Sequence, residues 1–381
     1  MLFAVLIGIV VGIIAGLLPG LHTNLVAVFI AGLHLDVWFS SVLLVAAAVS
    51  RSVVDAVPTV FLGASEDVMA LLPGHKLLSK GYGIEAVKFC VVGSVMGVLF
   101  GVLLLPVFLF SFPVLFSALR PFLFWIIITL IIILLCRDSF WGVVVFSLSG
   151  ILGLIVLNSV REPLFPLLSG LFGASSLVMS LFNKFEVPVQ FDTDVVNLPK
   201  LSLFGAIFSG VFAGSIVTLF PGLGPSQAAA LAQFKRTKPL NFLVMVGALG
   251  TVDVLISLVT FFSIGKARNG AVVVIEQLLG DISRPVLFSL IAVACVAVGF
   301  SVIAALAASK WYAFFVERVD YWLLSSVILV VLLVMSIVIS GWLGLLVFLT
   351  ATFAGLIAPL TRVSRSHAMG CLLIPTLLLL W

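Results

Sequence analysis

The chain has 381 residues, 63% hydrophobic and only 9% charged, with a formal net charge of +4 and a mean hydropathy of +1.40. Such a composition excludes a soluble domain with a charged surface, and an excess of positive charge this small, spread over short loops, gives no argument for a nucleic-acid partner. It predicts an all-α fold, a polytopic transmembrane bundle of about ten spanning or re-entrant segments, whose lipid-facing surface would be most of its exterior.

In chain order, the first apolar run, 2–18, carries neither a basic leading region nor a small-residue cleavage site, and it reads as a first span instead of a signal peptide. Directly behind it, "GIIAGLLPGLHTNL" (12–25) breaks the helix at Pro19 and Gly20 and brings in His22, Thr23 and Asn24. Next, "SRSVVDAVPTVFLG" (50–63) sets Arg51 and Asp55 in an apolar run, four residues apart and therefore on one helical face. Residues 66–81 are too charged for a simple span and read as lying at an interface or in a cavity. The runs 92–110 and 122–136 then approach or exceed the ~17–25 residues that cross a hydrocarbon core.

The hydrophilic stretch 183–200 divides the chain nearly in half. The second half opens as the first did: an apolar helix (201–219), a Pro-Gly break at Pro221 and Gly222, and a polar patch with Ser226 and Gln227. Asp253 follows in an apolar run with no basic residue within a turn, and the spans 286–308, 321–340 and 342–360 come after. The expected organisation is an N-terminal transmembrane repeat, 1–182, a linker, 183–200, and a C-terminal transmembrane repeat, 201–381, of inverted type with paired broken helices.

A broken helix in lipid exposes backbone groups that cost several kcal/mol each unless protein, water or ligand satisfies them, so two matching breaks point to one cavity. The helix restarting after each break offers unpaired N–H groups and a positive dipole end, suited to a carboxylate or phosphate. The candidate substrate-binding residues are therefore Pro19, Gly20, His22, Thr23, Asn24, Pro221, Gly222, Ser226 and Gln227. A membrane-embedded carboxylate must be compensated, which makes Asp55 and Asp253 candidates for binding a coupling proton or Na⁺, with Arg51 an anion ligand or the ion-pair partner of Asp55. The sequence carries no metalloprotease, hydrolase or nucleotide-binding motif and no Cys/His metal spacing, so neither enzyme activity, a resident metal nor an organic cofactor is expected.

The two break motifs, together with "LLPGHKLLSKGYGIEAVKFCVVGSVMGVLFG" (71–101), resemble the large membrane subunit of the tripartite tricarboxylate transporters. The resemblance implies ion-coupled secondary transport of an organic carboxylate in a prokaryotic cell membrane. It also implies two partners, a small membrane subunit and an extracytoplasmic binding protein. The broken-helix plan is similar too to that of proteins that translocate polyprenyl phosphates. A lipid-phosphate translocase is thus the alternative reading.

Overall fold

The computed structural model describes residues 1–18, 23–33, 35–62, 74, 76–136, 138–160, 162–182, 188–193, 199–220, 228–229, 239–316, 318 and 321–380. Every regular element among them is helical. The expected all-α transmembrane bundle holds: among the described residues eight segments are long and apolar enough to cross a membrane, and four shorter apolar helices accompany them.

The first half runs α1 (Leu2–Leu17), α2 (Thr23–Gly32), α3 (Val37–Val54), α4 (Ala56–Leu62), α5 (Gly83–Leu103), α6 (Leu105–Leu119), α7 (Leu123–Leu135), α8 (Phe140–Ser159), α9 (Leu164–Leu168) and α10 (Ser175–Phe182). The second runs α11 (Lys200–Val217), α12 (Pro239–Ile264), α13 (Gly270–Leu279), α14 (Arg284–Val316), α15 (Tyr321–Leu360) and α16 (Gly370–Leu380). Helices α3 and α4 form one span, Val37–Leu62, bent at Asp55. The bend has a local cause, since Pro58 has no N–H to give to the helical ladder and its ring crowds the preceding turn. Within α15, Gly341 has φ 69° and ψ −163°, which splits the run into the two spans read from the sequence.

Packing depends on small residues, as it must where lipid supplies no hydrophobic drive between helices. Gly8, Gly12 and Gly16 of α1 lie against Leu43, Ala47 and Arg51 of α3. In the second half, Gly210 and Gly214 of α11 lie against Met245 and Leu249 of α12, and Thr218 bonds to Asp253. One constant chain spacing relates the members of the two sets: Gly8 to Gly210, Leu43 to Met245, Gly12 to Gly214, Ala47 to Leu249, and Arg51 to Asp253.

The halves interlock. Helix α5 packs chiefly on α12 and α3 chiefly on α1 and α14, so each half lends a helix to the other. At the far end Gly153 of α8 meets Cys371 of α16, while Gly355 of α15 meets Leu171 between α9 and α10. The outer surface is apolar, with Phe110, Leu201 and Leu379 more than 80% exposed. In a membrane those side chains face lipid tails.

The hydrophilic stretch 183–200 is docked where the structure describes it. Gln190 accepts from the Gly83 N–H at 2.8 Å and donates to Leu78 O, and the Phe191 N–H donates to Gly81 O at 2.8 Å. The Asp192 carboxylate takes Lys88 of α5 at 2.8 Å and Lys310 of α14 at 2.7 Å. These two lysines hold its carboxyl below the ordinary carboxylate range, Lys310 most strongly.

Candidate functional site

Of the residues singled out in the sequence, Pro19, Gly20, His22, Pro221, Gly222, Ser226 and Gln227 lie outside the described residues, as does the side chain of Asn24. Thr23, Arg51, Asp55 and Asp253 are described, and they fall around one region where α2, α3, α12 and α13 meet.

The Arg51 side chain sits in the last turn of α3 and is only 8% exposed. That position suits a cation, because the helix ends in a negative partial charge. Its guanidinium donates to the Thr23 hydroxyl at 3.3 Å, on the first residue of the helix that restarts after the first break. A small cavity joins them, lined by Ala15, Thr23, Ala47, Ala48, Arg51 and Ala271. Its volume of about 10 Å³ is that of a single water position. Asp55, four residues on, gives its backbone N–H to Arg51 O at 2.9 Å and marks the bend between α3 and α4.

Asp253 is partly buried in the middle of α12. Neutral donors hold its carboxylate: the Asn269 amide at 2.8 Å and the Thr218 hydroxyl at 3.2 Å. Thr218 closes α11, three residues before Pro221, so this acid stands at the approach to the second break. Asn269 is the N-cap of α13 and its carbonyl accepts from the Ala271 N–H at 3.1 Å. The connection before it is fixed as well, with the Arg268 and Asn269 N–H groups both donating to Ser257 Oγ at 2.8 Å. Burial lowers the Arg268 pKa, partly offset by Glu276.

Helix α13 therefore bridges the two charged places. Its N-cap bonds Asp253, its first turn puts Ala271 in the wall of the Arg51 cavity, and its body packs on α2 and α3. The α1 carbonyl at Leu17, two residues ahead of the first break, is tied down from another side by the Tyr312 hydroxyl of α14 at 2.8 Å.

Sequence reasoning missed Thr218, Asn269 and Ser257. One signal was available for Asn269, which precedes Gly270 and an apolar run in the manner of an N-cap. Asp55 and Asp253 stand out alike as membrane-embedded acids, whereas the packing register makes Arg51, not Asp55, the equivalent of Asp253. Asp138 lies 2.8 Å from Nε2 of the fully buried His367 and accepts the Ser364 N–H at 2.8 Å. That contact pins the α15–α16 turn to the start of α8.

Comparison with known proteins decides the class. The profile of the tripartite tricarboxylate transporter TctA family matches residues 2–370. The chain belongs to that family. Members are the large membrane subunits of transporters that work with other subunits and a binding protein. The chain is also 27% identical over 356 residues to the uncharacterised protein MJ1079 of Methanocaldococcus jannaschii, covering 88% of this chain and 87% of the relative. No solved structure matches. The protein is thus a multi-pass membrane subunit of the tricarboxylate transporter class.

Proposed function

We propose that this chain is the translocating subunit of a secondary active transporter for a di- or tricarboxylate, driven by H⁺ or Na⁺ and working by alternating access in a prokaryotic cell membrane. Its two halves act as repeats of inverted type with paired broken helices, a small membrane subunit assists, and an extracytoplasmic binding protein delivers the substrate.

One observation carries the reading: a guanidinium in an almost wholly apolar wall, bonded to the first residue after a helix break and one helix away from a carboxylate held by neutral donors. Guanidinium matches carboxylate geometry and keeps its charge at any accessible pH. Among the described residues its hydrogen-bond donors, Asn269 and Thr218, are both neutral, which suits the carboxylate to a mobile cation. Interlocked helices and the constant spacing between the α1–α3 and α11–α12 contacts support the two-repeat plan.

The test is uptake into vesicles prepared from cells that express the intact transport system. Labelled di- and tricarboxylates are offered with an imposed proton or Na⁺ gradient. Accumulation above equilibrium with one gradient, abolished by collapsing it, is the expected result. Movement of a polyprenyl phosphate with no carboxylate uptake would overturn the reading.

A further inference from the structure

Asp55 and Asp253 are both acids in apolar runs, but the packing register makes opposite charges equivalent. Counting along α1 and α3 from the Gly8–Leu43 and Gly12–Ala47 contacts leads to Arg51; counting along α11 and α12 from Gly210–Met245 and Gly214–Leu249 leads to Asp253. Gly16, which lies 3.0 Å from Arg51 O once a Cβ is built on it, has Thr218 as its counterpart. Thr218 uses that place to bond Asp253. Equivalent positions thus carry a cation in one half and an anion in the other, and α13 touches both.

Resting on the transport reading above, we propose that Arg51 and Asp253 are the repeat-related charges of one two-part site, Arg51 taking a substrate carboxylate and Asp253 the coupling cation. Asn269 is the positioning residue that joins the two parts. Its amide holds Asp253 while its carbonyl caps α13, so the Asp253 carboxyl anchors the helix whose Ala271 narrows the Arg51 cavity.

The cavity is too small for a carboxylic acid in this arrangement, so α13 must shift for substrate to reach Arg51. A cation on Asp253 competes with the Asn269 amide for the same carboxylate oxygen and weakens that anchor. Cation binding and pocket opening then favour each other, which is the linkage a symporter requires. Thr218 does not share this role, because it bonds the other carboxylate oxygen and belongs to α11. Among the described residues, the charged groups on the elements packed against α12 are Arg51 of α3 and Asp55 at its end, Glu85 and Lys88 of α5, Lys200 of α11, Arg284 and Lys310 of α14, and Lys266, Arg268 and Glu276 of the α13 region. Glu85 and Lys88 bond each other at 3.0 Å, and the Ala267 N–H donates to Glu276 at 2.9 Å.

The experiment places a reporter cysteine at Ala271 in the full chain, with the exposed Cys136 and Cys295 replaced by serine, and measures its modification by a methanethiosulfonate reagent in vesicles. Asn269→Ser keeps a capping oxygen but is too short to reach Asp253. It should speed labelling at least tenfold, as should Asp253→Ala. In the otherwise unchanged reporter, the true coupling cation should do the same: added Na⁺ at fixed pH if it is Na⁺, or lowered pH at fixed Na⁺ if it is a proton.

Acceleration by Asn269→Ala but not by Asn269→Ser would reduce Asn269 to a helix cap and overturn the proposal. So would equal labelling in every variant and under both cation conditions. Labelling reads the link without any substrate, so its outcome is separate from that of the uptake assay. Fast labelling with undiminished gradient-driven accumulation in Asn269→Ser would overturn the coupling role while leaving the transporter reading intact.

Discussion

At the α1–α3 contact a cation, Arg51, is 8% exposed, close to the end of its helix, and bonded to Thr23. At the α11–α12 contact an anion, Asp253, occupies the matching place but sits mid-helix and is held by Asn269 and Thr218. The helix end itself favours the first charge, whereas the second is held, among the described residues, by side-chain donors brought from neighbouring elements. In the proposed two-repeat plan, equivalent places thus build a fixed positive position and a negative one whose partners exchange.

If Arg51 is the fixed anion ligand, Arg51→Gln should weaken binding of the transported carboxylate about 100-fold or more, roughly 2.7 kcal/mol, measured by titration of the purified protein. An unchanged affinity would break the comparison at its first half. Packing offers a second contrast. A Cβ at Gly12 would strike Ala47 O and come within 2.7 Å of Ser50 Cβ, while one at Gly214 would meet nothing nearer than Leu249 Cγ at 3.6 Å. Gly12→Ala should therefore cost about 1–3 kcal/mol of stability, and Gly214→Ala should be within about 0.5 kcal/mol of neutral, by thermal unfolding in detergent.

A smaller effect is expected at Thr218. Thr218→Val removes one hydrogen bond to Asp253 and should cost about 0.5–1.5 kcal/mol, with the Asn269 link and the coupled uptake retained. The smallest concerns the docked stretch around Asp192. A carboxyl with a lowered folded-state pKa contributes stability that is complete above its unfolded value of about 3.9 and is lost as pH falls through the folded value. Limited proteolysis near residues 188–193 should accordingly be unchanged between about pH 5 and 8 in the native chain. Asp192→Asn should raise it across that whole range.

The helices were legible because long apolar runs in this chain have no alternative to spanning, and Gly341, which separates two of them, was legible by its place between such runs. Arg51 and Asp253 stood out for the same reason, as charges where charge is costly. Asn269 did not, since a polar residue at the end of "KARNG" looks like any solvent-facing loop until its amide is seen against Asp253. The docking of Gln190 and Asp192 was hidden likewise, because a hydrophilic stretch reads as a spacer whether or not lysines await it. The match of Arg51 with Asp253 was legible but passed over: the chain spacing from Pro19 to Pro221 is also that from Arg51 to Asp253, yet the eye pairs acid with acid, and the glycine contacts give the same register independently.

The central claim, that one half holds the substrate anion and the other the coupling cation, is tested most directly by comparing Asp253→Asn with Arg51→Gln in two assays on the same vesicles. Gradient-driven accumulation of labelled tricarboxylate reads coupling, and exchange of internal for external tricarboxylate without a gradient reads substrate handling alone. The account predicts that Asp253→Asn loses accumulation and keeps exchange, while Arg51→Gln loses both. Undiminished accumulation by Asp253→Asn, or intact exchange by Arg51→Gln, would contradict it.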